Sequence, residues 1–166
     1  MKLSDEVIIP VPRMKVWQAL NDPEVLRQAI PGCEEIVKKS DTEMEAQVVL
    51  KIGPVKASFS GKVTLSNIDP PNGYTISGEG QGGVAGHARG GADVRLESEG
   101  EATILHYNVK AEVGGKIAQL GSRLIDSTAK KLAGEFFEKF AEVVAPPPET
   151  EGEDKPKGKW WKFGKA

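Results

Sequence analysis

Few residues of this 166-residue chain could do covalent or metal chemistry. Two histidines, His87 and His106, and one cysteine, Cys33, fall in different segments. They lack the spacing that a metal site requires. No serine or cysteine nucleophile has an evident base. Glu34 and Glu35 follow Cys33, but neighbours in a strand point to opposite faces and make no catalytic pair. Both histidines alternate onto an outward face, where they read as ordinary solvated side chains. Cys33, after Pro31-Gly32, reads as a small buried residue. The run Gly78-Glu79-Gly80-Gln81-Gly82-Gly83 matches the dinucleotide fingerprint G-x-G-x-x-G in its letters. That fingerprint needs a helix next, whose N-terminus meets the pyrophosphate. A strand pattern follows here, so the nucleotide reading fails. The expectation is a protein without catalytic residues or metal ligands, and not an enzyme.

The other group with evident chemistry is at the C-terminus. Lys155, Lys157, Lys159, Lys162 and Lys165 surround Trp160, Trp161 and Phe163, with no acid among them. Tryptophan and phenylalanine favour the boundary between water and lipid headgroups, and lysines are drawn to anionic lipid. The segment is far too short to span a bilayer. Residues 155–166 are therefore expected to tether the chain to a membrane surface or a partner; a merely solvated end is the blander alternative.

Charge excludes one class of partner. The chain has 22 basic and 24 acidic residues, a net charge of −2. Setting aside the five tail lysines leaves 17 basic against 24 acidic residues, or −7 over residues 1–154. Nucleic-acid binding rests on neutralising phosphates, so no nucleic-acid partner is expected. A single cysteine excludes an internal disulfide framework and fits a reducing compartment. The first residues lack the apolar run of a signal peptide. The expected location is cytoplasmic, peripheral on the inner face of the cytoplasmic membrane.

Positioning elements follow from periodicity. Residues 3–9 read as a strand ending at Pro10. Short helices are predicted over 12–21, with Pro12 in the first turn, and from Asp22-Pro23 to Ala29. Period-two alternation then runs through Ala46, Val48, Leu50 and Ile52. It resumes after Gly53-Pro54 through Val55, Ala57, Phe59, Gly61, Val63 and Leu65, with polar neighbours opposite. Asp69-Pro70-Pro71-Asn72-Gly73 is a turn. Further strands fit 74–82, 84–97 and 102–113. From Lys116 to Val144 the period becomes helical, with one apolar stripe through Leu120, Leu124, Leu132, Phe136 and Phe140. Three prolines, 146–148, end that helix. The fold class is α+β: a curved antiparallel sheet of about six to seven strands around a long C-terminal helix, with two short helices after the first strand. This is the helix-grip layout. The partition is a ligand-binding domain over 1–145, a Pro-rich acidic linker over 146–154 and the tail over 155–166.

The strands at 74–82 and 84–97 carry a face of unusually small residues: Gly78, Gly80, Gly82, Gly86, Ala88, Gly90 and Ala92. Interiors do not tolerate large voids, so either the long helix approaches closely or a ligand fills the space. The predicted lining is almost wholly apolar. It comprises Val48, Leu50, Phe59 and Val63; Ile76, Val84, Ala88 and Ala92; Tyr107 and Val109; and Ile117, Leu120 and Leu124. It would suit a flat or long hydrophobic molecule.

Three segments together carry a family resemblance. They are Ile30-Pro31-Gly32-Cys33-Glu34, then Gly73-Tyr74-Thr75-Ile76 leading to Gly86-His87-Ala88, and the run from Val113-Gly114-Gly115-Lys116 through Gln119-Leu120-Gly121-Ser122-Arg123-Leu124. In this order the chain resembles, over residues 1–145, the G-subunit family of carbon monoxide dehydrogenase, within the START-like (SRPBCC) superfamily. The resemblance implies a START-like fold with a deep apolar cavity and no catalytic residues to transfer. It also implies an accessory role for a molybdenum-containing CO dehydrogenase or related hydroxylase, recruited to the membrane. An apolar membrane ligand suits both tail and cavity. The expectation is a bound quinone, menaquinone or ubiquinone, linking the enzyme to the respiratory chain. A pure tether and a polyketide-cyclase-like enzyme or lipid carrier on the same fold are the alternatives.

Overall fold

The computed structural model describes residues 1–145; the linker and the basic aromatic tail lie outside the described residues. The elements run β1 (Lys2–Ile9), α1 (Arg13–Leu20), α2 (Pro23–Ala29), β2 (Cys33–Lys38), β3 (Glu43–Ile52), β4 (Val55–Asp69), β5 (Gly73–Gln81), β6 (His87–Glu99), β7 (Ala102–Gly114) and α3 (Ser122–Val144). The seven strands form one sheet in the order β1-β7-β6-β5-β4-β3-β2, antiparallel throughout. Only β1 is out of chain order: after α1 and α2 the strands meander back until β7 pairs with β1.

Local chemistry accounts for the two short helices. The Pro12 carbonyl accepts from the Lys15 and Val16 amides and starts α1. The Asp22 carboxylate accepts from the Glu24 amide at 2.9 Å and caps α2, with Pro23 at its first position. Gly32 then turns the chain at φ 75°, where a Cβ would collide with the Val49 carbonyl.

These helices and the C-terminal half of α3 close one end of the curled sheet. The core there gathers Val16, Trp17 and Leu20 from α1, Leu26 from α2, Met44, Leu65, Tyr74, Leu96 and Leu105 from the sheet, and Phe140 and Val144 from α3. Trp17 and Tyr74 pack with ring centroids 5.3 Å apart. Burial pushes the Tyr74 phenol well above its usual range, so it stays neutral. Thr103 is fully buried, and its hydroxyl donates to the Val11 carbonyl at 2.8 Å. That bond ties β7 to the β1–α1 connection.

Two boundaries differ from those that periodicity predicts. The strand expected over 84–97 starts at His87, because residues 83–85 form a single 3-10 turn and Gly86 sits at φ 118°. The helix expected from Lys116 starts at Ser122. Residues 115–120 are 3-10, and Gly121 at φ 95° separates them from α3. Hydrophobic spacing of three or four fits a 3-10 segment and an α-helix alike.

Replacing Thr103 by Val keeps the shape but strands the Val11 carbonyl in the core. Chemical denaturation of Thr103→Val should show a loss of about 1–3 kcal/mol without a change in fold.

Candidate functional site: an open concave face between two cores

The face of the sheet toward α3 can be followed across the strands by register. One row is Met44, Val63, Gly78, Gly90 and Ala111; the next is Ala46, Gly61, Gly80, Ala88 and Val113. The row beyond, toward the first core, is Leu65, Ile76, Ala92 and Val109. The middle of the face is therefore glycine and alanine, as alternation predicts. On the opposite face Thr75, Ser77, Glu79, Arg89, Asp93 and Arg95 point away.

The glycines divide into two sets by what surrounds them. At Gly61 a Cβ would meet only the Glu79 and Ala46 carbonyls, at 3.6 and 4.0 Å, and at Gly80 only the Ser60 carbonyl, at 3.9 Å. Gly78 has the Lys62 carbonyl and a Val63 methyl, at 3.3 and 3.7 Å. No atom of α3 comes within 4 Å of any of these positions. The long helix thus does not fill the space above them. Gly90 and Gly91 are different. A Cβ at Gly90 would collide with the Lys110 carbonyl, and one at Gly91 would lie 2.7 Å from the Ile76 carbonyl. These two are needed for strand approach and sheet curvature.

The hydrophobic interior is accordingly split. Beyond the small-residue rows lies a second cluster, with Phe59, Ala85 and Ile117 buried and Leu50, Ile52, Val55, Ala57, Val113 and Leu120 packed around them. Phe59 lies against Gly82, where any Cβ would collide with its ring. Burial along α3 follows the same division. Phe140, Ala141 and Val144 are buried, whereas Leu124, Thr128 and Leu132 are only partly covered. Leu124 touches the β3–β4 turn, its methyl 2.8 Å from a Cβ placed on Gly53. A cleft of about 520 Å³ opens along this seam, between Leu124, Thr128, Lys131 and Leu132 of α3 and Pro31, Gly32, Val49 and Leu50. That volume lies within the range of small-molecule sites.

Most of the predicted lining lies on these surfaces. Val48, Val63, Ile76, Ala88, Ala92, Tyr107 and Val109 are on the concave rows and are partly exposed. Phe59, Ile117, Leu50 and Leu120 belong to the second cluster, which bounds the open region, and Leu124 lies at the cleft. Val84 is a correction: it is 93% exposed at the tip of the β5–β6 connection and faces no cavity. Alternation across 84–97 places it inward, but the positive-φ residues Gly83 and Gly86 break the strand there.

The polar candidates also have definite surroundings. Tyr107 stacks on Phe137 at 5.0 Å, and burial, helped by the Asp5 carboxylate, pushes its phenol up. Burial raises the Cys33 thiol as well, and it donates to the Glu35 carbonyl, so it is a poor nucleophile. His87 is exposed. His106 is not the ordinary solvated histidine expected: its Nε2 lies 2.9 Å from Glu97 and its Nδ1 3.3 Å from Glu6. Register brings these partners together on the outer face, which no local sequence signal reveals. A larger depression of about 780 Å³ also lies on that face. It is crossed by Lys62, Glu79, Arg89 and Glu112 on successive strands, whose alternating charges offset one another.

A profile of the carbon monoxide dehydrogenase G-subunit (CoxG) family matches residues 6–145. The chain belongs to the CoxG family. Among solved structures, a conserved protein from Geobacillus kaustophilus is 28% identical, with a TM-score of 0.82, over 87% of this chain and 95% of that one. The Zhui aromatase/cyclase from Streptomyces sp. R1128 is 12% identical, with a TM-score of 0.61, over 87% and 93%. A START superfamily protein from Mycobacterium smegmatis is 18% identical, with a TM-score of 0.57, over 86% and 93%. The last two show the fold alone, which is the START-like helix grip. No curated protein compared with the chain matches it. The CoxG family and this fold fit a non-catalytic, ligand-binding accessory role. Among the described residues, no helix is long and apolar enough to cross a membrane.

The two sets of glycines should respond oppositely to a methyl group. Gly80→Ala should leave stability unchanged or raise it by up to about 1 kcal/mol, since the position is open and glycine is entropically costly in a strand. Gly90→Ala should cost about 1–3 kcal/mol, because backbone must move. Thermal melts of the two variants check this.

Proposed function

We propose that this CoxG protein holds a molybdenum-containing CO dehydrogenase, or a related hydroxylase, at the inner face of the cytoplasmic membrane and binds an apolar molecule beneath α3. The ligand is a membrane quinone, menaquinone or ubiquinone, which takes two electrons and two protons to the quinol and so links the enzyme to the respiratory chain. The interrupted core carries this reading. Side chains that could have closed the gap are absent at Gly61, Gly78 and Gly80, and α3 does not descend to replace them. An apolar ligand would cover the partly exposed Val48, Ala92 and Val109, which belong to neither core cluster. Tyr107 is the only assigned lining residue with a polar side-chain group. Its raised phenol stays protonated and is able to donate to a quinone carbonyl. The tail residues Lys155–Lys165, with Trp160, Trp161 and Phe163, supply the membrane attachment in this reading.

Native mass spectrometry of protein extracted gently from its own membranes should show a co-purifying isoprenoid quinone. Ala92→Phe should abolish that adduct while leaving the melting temperature of the empty protein unchanged or higher, since the added ring enters open space. A fall of several degrees in Ala92→Phe, with no adduct in the wild type, would refute the ligand and leave a tether.

Attachment is tested separately. Deleting residues 155–166 should release the protein from phosphatidylglycerol vesicles in a sedimentation assay and leave its circular dichroism unchanged. Undiminished sedimentation would exclude the tail as anchor.

A further inference from the structure

An antiparallel meander sends alternate connections to opposite ends of the sheet. One end holds the β3–β4 hairpin and the β5–β6 and β7–α3 connections. They meet in the second hydrophobic cluster, where Ile117 lies against Gly86 and Phe59 against Gly82. The segments that build this end, residues 47–58, 80–88 and 113–125, contain no Asp or Glu, although the chain as a whole is acidic. They carry Lys51, Lys56, Lys116 and Arg123, all exposed. None of the four is in an ion pair among the described residues. Between them stands Val84, 93% exposed, the most exposed large hydrophobic side chain of the described residues; the next is Met14 at 51%. The other end mixes both signs: Asp41 and Glu101 lie in its connections and Asp69 and Glu99 at its strand ends, beside Lys38 and Lys39 and with Arg13 bonded to Asn72 in the β4–β5 turn.

We infer that this basic end is a second membrane-docking surface, which seats Val84 among the headgroups of an anionic bilayer while the four cations meet lipid phosphates. This deepens the membrane reading above and rests on it. Charge complementarity argues for the lipid: unpaired cations flank an apolar tip, and each basic group near an anionic surface adds to binding. The texture of the surface agrees. Around Val84 are Gly82, Gly83, Gly86, Gly114 and Gly115, which offer no side chains for the aromatic and arginine anchoring typical of protein interfaces. Geometry permits both attachments at once. α3 starts at this end, and its 23 residues span about 35 Å before the chain leaves at the opposite end. Residues 146–159 reach at most about 46–50 Å when extended, enough to return to the same bilayer. Docking in this way brings the bilayer against the small second cluster, the thin wall between that end and the open concave face.

The test uses the full chain carrying Cys33→Ser and Val84→Cys, with a nitroxide on position 84. On vesicles containing phosphatidylglycerol, the label should lose mobility and shift its collisions from a water-soluble relaxant toward oxygen. On pure phosphatidylcholine it should not. Lys51→Glu with Lys56→Glu, both on an exposed hairpin, should weaken sedimentation with anionic vesicles at least tenfold and return the label to water. Trp160→Ala with Trp161→Ala separates the two readings. If the protein sediments through its tail but the label stays in water, the docking surface is refuted and the tether stands. If the tail variant binds undiminished and the label is immersed, the tail fails as tether and the surface stands. A label immobilised only on adding the dehydrogenase would make this end a protein interface and overturn the proposal.

Discussion

Close backbone approach at the centre of the sheet governs this molecule. At Gly90 a single Cβ would collide with the Lys110 carbonyl, and at Gly91 it would crowd Ile76. Side chains of any size would push β6 away from β5 and β7 and flatten the sheet. With glycine there, the sheet curls far enough for its two ends to close separately, one over α1, α2 and the end of α3, the other over the β5–β6 and β7–α3 connections. The small residues beside those positions leave the middle of the concave face without a filling.

The distribution of burial follows from that. The large core is anchored by Phe140, Leu105, Ile9 and Val16, each almost completely removed from water, and it holds only the last turns of α3. The first half of the helix rests on Leu124 at the hairpin turn and leaves Leu132 partly covered. A packed interior would gain apolar burial at these positions. The chain forgoes that gain at Gly61, Gly78 and Gly80, on the two strands at the middle of the concave face. The aromatase/cyclase and the START superfamily protein share the fold at 12% and 18% identity.

Charge adds a direction to the body. Because the strands meander, the connections alternate between ends, and cations from distant segments meet at one of them. Lys51, Lys56, Lys116 and Arg123 lie far apart in the chain but share one end. On the outer face, by contrast, opposite charges alternate from strand to strand, and the Arg89–Glu112 contact at 3.5 Å is one product. The end that carries Val84 is therefore basic while the flank is balanced.

Much of this is legible in the residues. Alternation from Ala46 to Leu65 names the buried side of β3 and β4 correctly, Pro12 and Asp22-Pro23 mark the helix starts, and the Gly/Ala face is visible as a face. The three motifs point to the CoxG family. What local pattern cannot separate is glycine as a gap from glycine as a close approach: Gly80 and Gly90 look alike in sequence and differ only in what lies across the strand. Nor can it place Val84, since period-two alternation continues through a connection that two positive-φ glycines turn outward. The 3-10 segment before α3 has a helical period, which hides its boundary with the helix. Residue order alone therefore establishes which positions alternate, where chain direction must change and which side chains are too small to fill a core. Whether α3 descends to fill the space is settled only by packing between distant elements. It depends on where Phe140 and Leu124 come to rest against remote strands, and no local interaction sets that distance.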